Sequence, residues 1–96
     1  MHRILVACGT GTATAAVVAD ALGQALRSRG LAVEFTLGAI ADVARLAPGH
    51  DLVVSTMPIA DAGGVSVVHT LAFLTGVETE AAVDRIEALL RSGSVD

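Results

Sequence analysis

A run of apolar residues, Arg3-Ile4-Leu5-Val6-Ala7, stops abruptly at Cys8-Gly9-Thr10-Gly11-Thr12, and an amphipathic stretch follows. The run does not alternate, so it suits a central parallel strand covered on both faces. From about residue 13 to residue 29, Val18, Leu22, Ala25 and Leu26 recur at helical spacing and make one apolar stripe. Gly30 stands where a helix C-cap glycine is expected. A strand, a glycine turn and a helix in that order begin an α/β unit.

The rest of the chain continues the alternation. Residues 31–37 are rich in β-formers (Val33, Phe35, Thr36), and 39–46 predict a short helix with Ile40, Val43 and Ala44 turned inward. Pro48-Gly49 marks a turn before a third strand at 51–55. A loop over 56–64 leads to a fourth strand at 65–68, and a final helix spans about 79–91 with Val83, Ile86 and Leu90 on one face. Thr75 and Glu78 have capping-box spacing for an earlier start, and Glu87 and Arg91 form a supportive i,i+4 pair. The sequence predicts an α/β domain with a parallel sheet. The third-to-fourth connection is short for a parallel crossover. Either a small helical turn fits there or the fourth strand begins later.

Length and composition narrow the function. The 96 residues suit a single domain over 1–96, with 92–96 expected to fray. Apolar residues make up 53% but aromatics only 2%, so the core is built from Val, Leu, Ile and Ala. Six basic residues, all Arg, stand against ten acidic ones, a formal net charge of −4. That balance, without a basic cluster, argues against nucleic acid. The longest runs without Asp, Glu, Lys or Arg, 4–19 and 62–77, fall short of the roughly 20 apolar residues that span a bilayer. Leu5-Val6-Ala7-Cys8 matches the pattern before a lipid-modified cysteine, but the apolar run is too short for a signal peptide. The expected setting is the cytoplasm, with the one cysteine a reduced thiol and no internal disulfide.

The segment 8–14, Cys8-Gly9-Thr10-Gly11-Thr12-Ala13-Thr14, carries the chemistry. Ligands of open α/β sheets bind at the carboxyl ends of the strands, where a helix N-terminus offers unpaired N–H groups and positive potential. Gly9 and Gly11 let the backbone curl around an anion, and Thr10, Thr12 and Thr14 add hydroxyls. The loop suits a tetrahedral dianion such as phosphate. A dinucleotide fingerprint lacks its third glycine, which is Thr14 here, and a nucleotide-hydrolase P-loop lacks its Lys. His2, His50 and His69 are dispersed, so no metal is expected, and no cofactor.

Cys8 is read as the nucleophile, because a helix N-terminus stabilises a thiolate. Free cysteines are more often small buried hydrophobes; its place between an apolar strand and Gly-x-Gly-Thr favours a function. Two chemistries remain open. A low-molecular-weight cysteine phosphatase needs an arginine six residues after the cysteine and an acid from a later loop. Thr14 occupies the first position, and Asp61 is the acid in the loop after strand three. A phosphoryl carrier needs backbone amides to hold a phosphocysteine, with no arginine to trap it. A regulatory module phosphorylated at Cys8 is a third, non-enzymatic possibility.

The chain resembles the IIB component of the bacterial sugar phosphotransferase system (PTS), nearest its galactitol-type branch, with a fold shared by the lactose and ascorbate types. The resemblance rests on Ile4-Leu5-Val6-Ala7-Cys8-Gly9-Thr10-Gly11, on Leu52-Val53-Val54-Ser55-Thr56, and on Val67-Val68-His69-Thr70-Leu71-Ala72-Phe73-Leu74-Thr75-Gly76-Val77. It implies a four-stranded parallel sheet of order 2-1-3-4, flanked by helices in a Rossmann-like three-layer arrangement. It also implies a protein-phosphohistidine–sugar phosphotransferase with a phosphocysteine intermediate. Cys8 would accept phosphate from phospho-IIA and pass it to a sugar or polyol held by the membrane transporter IIC, coupling uptake to phosphorylation. Residues Gly9, Thr10, Gly11, Thr12, Ala13 and Thr14 would cradle the phosphate. The Lys-free, acidic surface leaves docking contacts and the solute open, with ascorbate-type or other pentitol or hexitol systems as alternatives.

Other residues take plainer roles. His69, at a strand end, is read as structural, hydrogen-bonded to backbone, sooner than as a second phosphoryl acceptor. Asp61 is read as a turn former sooner than as a group lining the crevice. With strand three beside strand one, Ser55 and Thr56 would border the phosphate site. Met57-Pro58-Ile59 would offer a surface to IIA or IIC or pack down, and Glu80, Asp84 and Glu87 read as a solvated helix face.

Overall fold

The computed structural model describes residues 2–9, 13–59, 62, 64–70, 76 and 78–93. The elements follow in the order β1 (His2–Ala7), α1 (Ala13–Ser28), β2 (Val33–Gly38), a 3₁₀ turn (Ile40–Asp42) running into α2 (Val43–Leu46), β3 (Leu52–Ser55), β4 (Val67–His69) and α3 (Thr79–Gly93). All strands pair in parallel, in the expected order β2-β1-β3-β4. β1 is therefore hydrogen-bonded along both edges, which explains its unbroken apolar run: every residue from Ile4 to Ala7 is fully buried.

The pleat sends alternate residues of the sheet to opposite faces. Ile4, Val6, Leu52 and Val54 join Val18, Leu22 and Leu26 of α1 and Val83, Ile86 and Leu90 of α3 in the larger core. Leu5, Ala7 and Val53 join Val43, Ala47 and Ala62 in a smaller core on the α2 side. The result is three layers, with α1 and α3 on one face.

α1 ends as its glycine predicts. Gly30 has φ +81°, its N–H donates to Arg27 O, and Leu31 N–H donates to Leu26 O. These two bonds make a Schellman motif, closed by Leu26 and Leu31 packing in the same core. At the opposite end of the sheet from Cys8, Asp51 bonds Arg3 twice: its carboxylate accepts the Arg3 N–H (2.7 Å) and its own N–H donates to Arg3 O (2.7 Å). That pair sets the register of β3 on β1.

Several boundaries differ from the sequence pattern, each for a local reason. β2 begins at Val33, after the Schellman turn has used Leu31. The expected helix over 39–46 splits into a 3₁₀ turn and a four-residue α2, and the tighter winding changes the phase. Val43 is buried, but Ala44 is exposed and Ala47 takes the inward place. β4 begins at Val67 and not at Val65, because the Val65 N–H closes a turn on Ala62 O. This later start gives the crossover its length, and the described residues of 56–66 contain no helix. α3 starts at Thr79: Glu78 has φ +59°, which cannot continue a right-handed helix backwards. Thr75, the other half of the expected capping box, lies outside the described residues, as do 94–96; residues 92 and 93 are helical.

Glu80, Asp84 and Glu87 do not all face solvent alone. Arg29, just past α1, bridges to Asp84 and to Glu87 (2.9 Å), and Glu87 also pairs with Arg91 at 2.8 Å as its spacing predicts. The Arg29 and Arg91 guanidiniums hold the Glu87 carboxyl below the usual carboxylate range. The paired carboxylates, Asp84 first, raise Arg29 in turn.

Candidate functional site

Cys8 follows directly on β1 at the carboxyl end of the sheet, where β1 sits between two strands that end beside it. Ala7 is in register with Gly38 of β2 and with Ser55 of β3. The thiol residue is 3% exposed and continues the alternation of Ile4 and Val6 toward the α1 side, where it packs in the core containing Ala15 and Val18. It is therefore a buried thiol at the carboxyl end of the sheet, not a surface cysteine.

Its backbone is tied to the β2 side. Cys8 N–H donates to Gly38 O (3.2 Å), and Gly9 O accepts from Ile40 N–H (3.1 Å). Gly38 has little freedom in this arrangement, since a Cβ there would come within 2.9 Å of Leu46 Cδ1. Gly9 is required for a different reason. Its φ of +37° turns the chain out of the strand, a conformation that L side chains resist, although nothing would touch a Cβ added there.

The two ties carry the chain away from the thiol toward α1, whose sixteen residues begin at Ala13. The first turn of α1 contains no acidic residue. The positive end of its dipole therefore has no first-turn carboxylate to neutralise it. Thr14 lies in this first turn with an exposed side chain. Of the residues expected to cradle phosphate, Gly9, Ala13 and Thr14 thus flank the turn from strand to helix, while Thr10, Gly11 and Thr12 lie outside the described residues. Asp61 does too.

The β3 side of the site holds the two residues expected to border it, and His69 makes the backbone hydrogen bond expected of it. Thr56 N–H donates to Ala7 O (3.3 Å), which sets Thr56 alongside Cys8. Ser55 is fully buried; its hydroxyl donates to Met57 O (2.5 Å) and accepts from Met57 N–H (3.0 Å), closing a tight turn. Met57 itself is 48% exposed. His69 at the end of β4 reaches across to Thr56, with Nε2 3.3 Å from the Thr56 carbonyl. A backbone partner for this strand-end histidine is expected from the sequence, and the register Ser55↔His69 identifies it as Thr56.

Elsewhere, an open groove of about 400 Å³ between α1 and α3 is lined by Gln24, Ser28, Arg29 and Thr79. It lies at the far end of α1 from Cys8. Among the described residues no three His, Cys, Asp or Glu side chains gather as a metal site, and no helix is long and apolar enough to cross a membrane.

A thiol at a strand-to-helix turn, at the carboxyl end of an open parallel sheet, places this chain among the α/β domains whose ligand sites lie at such turns. Comparison with known proteins narrows the class. The family model for the PTS system lactose/cellobiose-specific IIB subunit matches residues 3–85, and the chain belongs to that family of sugar-specific PTS IIB components. It is 32% identical over 90 residues to the Escherichia coli (strain K12) protein named "Putative phosphotransferase enzyme IIB component SgcB", covering 94% of this chain and 98% of the relative. It is 27% identical over 91 residues to the PTS galactitol-specific EIIB component of Escherichia coli O157:H7, covering 94% and 97%. The solved lactose-specific IIB domain of Streptococcus pneumoniae superposes with a TM-score of 0.61 at 15% identity, covering 91% of this chain and 95% of that one, which is a likeness of fold.

Proposed function

We propose that this protein is a phosphoryl carrier whose acceptor is Cys8, working between a phospho-IIA protein and a membrane IIC transporter. One observation supports this reading above the others: the place of Cys8 at the β1–α1 turn at the carboxyl end of the sheet, before a helix whose first turn carries no acidic residue. The Cys8 sulfur attacks phosphorus on the IIA phosphohistidine; the P–N bond breaks and an S–P bond forms. A hydroxyl of the solute then attacks the same phosphorus, the S–P bond breaks, and the thiolate returns with the hydroxyl proton lost to a base. Inversion through an in-line transition state requires positioning and charge stabilisation, which backbone amides supply. Gly9 to Thr14 provide those amides. No arginine falls within residues 8–14, so the phosphoryl group is not clamped as it would be in a phosphatase.

The galactitol-specific relatives support a polyol or sugar of that type as the solute. The domain 1–96 is expected to act as one unit on the cytoplasmic side, where phospho-IIA is available.

Intact-mass analysis tests the carrier directly. After incubation with phosphoenolpyruvate, the general PTS proteins and a cognate IIA, the wild type is expected to gain one phosphate and Cys8→Ser none. An unmodified wild type, with IIA shown to be phosphorylated in the same tube, overturns the proposal. Steady turnover of a phosphate ester by the protein alone would make it a phosphatase instead.

A further inference from the structure

β1, β3 and β4 end in step at the site, since Ala7 is in register with Ser55 and Ser55 with His69. One residue beyond the end of β3, Thr56 uses both backbone polar groups across strands. Its N–H donates to Ala7 O and its carbonyl meets His69 Nε2, each at 3.3 Å. A carbonyl oxygen can only accept, so Nε2 carries the proton and donates. The next residue, Met57, is held at both its N–H and its carbonyl by the buried Ser55 hydroxyl. A turn that leaves Met57 half exposed is thus fixed from three sides, right beside the residue that precedes the nucleophile.

We propose that His69 is a positioning residue for phosphoryl transfer to Cys8. Through its bond to Thr56 it fixes the backbone along the β3 side of the thiol, opposite the ties that Gly38 and Ile40 make on the β2 side. With Nε2 engaged as a donor to Thr56 O, the ring acts through the backbone and not on the phosphate. The inference rests on the carrier function proposed above and adds the residue that holds the second wall of its site.

The test compares wild type, His69→Ala and His69→Gln, whose amide N–H can replace Nε2 as donor to Thr56 O. The initial rate of Cys8 phosphorylation is followed by mass over a range of phospho-IIA concentrations. His69→Ala is expected to lower kcat roughly three- to tenfold, the weight of one hydrogen bond, with KM for phospho-IIA unchanged. His69→Gln is expected to restore most of the rate. The ¹⁵N shifts of the wild-type His69 ring should show the Nε2–H tautomer. Equal rates in wild type and His69→Ala overturn the inference while leaving the carrier intact. Loss of rate in both variants alike overturns it too, because the ring would then be doing chemistry that an amide cannot. A fall in Tm of His69→Ala without a fall in kcat makes the bond merely structural and is equally fatal. If wild type takes up no phosphate, the carrier function fails first and the inference with it.

Discussion

Gly38 and Gly9 lie on either side of Cys8, and they are glycine for different reasons. At Gly9 the backbone turns to φ +37° in open space, so a side chain is strained without being crowded. At Gly38 a new Cβ would meet Leu46 Cδ1 at 2.9 Å. Gly38→Ala is therefore expected to push aside the Leu46 methyl, the end of a half-buried side chain, and to destabilise the domain by about 1 kcal/mol at most, the low end for overpacking. Urea denaturation measures the loss, and adding Leu46→Ala should return part of it as a coupling between neighbours. Neither requirement can be told from the other in sequence. The Gly9-x-Gly11 spacing after an apolar strand marks the site, and Gly30 announces its helix end, because those signals are local. The contact of Gly38 with Leu46 and the choice of Thr56 as the partner of His69 arise between separate elements and carry no local signature.

Between elements, Arg29 fastens the end of α1 to the middle of α3. Glu87 and Arg91 are four residues apart, so their pairing is readable from the sequence. Asp84 and Glu87 pair with an arginine more than fifty positions away, which is why they look like an ordinary solvated face. This bridge predicts a pH effect. The Glu87 carboxyl is held below its ordinary range, first by the Arg29 hydrogen bond and then by Arg91. Below that ordinary range the unfolded chain binds the proton more readily than the folded one, so stability falls with pH there. The contribution is complete above the ordinary carboxylate range and fades as pH drops through the lowered folded value. Glu87→Gln should flatten part of the decline of Tm below that range and change little of its slope near neutrality, as calorimetry across pH would show. The opposite failure of local pattern is β4. Val65-Ser66-Val67-Val68 reads as one strand by composition, but a turn bond from Val65 to Ala62 removes its first part from the ladder.

At the level of the whole molecule, each face of the sheet has its own core. Among the described residues the α1–α3 side holds Ile86, Leu90, Leu22 and Leu26, all buried, and the α2 side holds Leu5, Val53 and Val43 with half-buried Ile40, Leu46 and Ile59 around them. Ile86→Ala is expected to cost about 2–5 kcal/mol, a large share of the roughly 5–15 kcal/mol that holds a domain of ordinary stability. Val43→Ala should cost less, and amide exchange should show the α2 segment opening before α1. The α/β class was legible because the strand–helix alternation and the apolar stripes reflect burial, whereas the strand order came with the family resemblance and not from the pattern.

The central place of β1 also has a consequence for how the protein is made. β1 is synthesised before either strand that flanks it, and its β3 edge has no partner until Leu52–Ser55 have been made. For that interval its apolar residues can be covered on one face by α1 but on no more than one edge by β2. Closure of the sheet around the cysteine strand thus waits on distant chain, and a ribosome pausing between β2 and β3 would hold the protein in the state most exposed to misassembly.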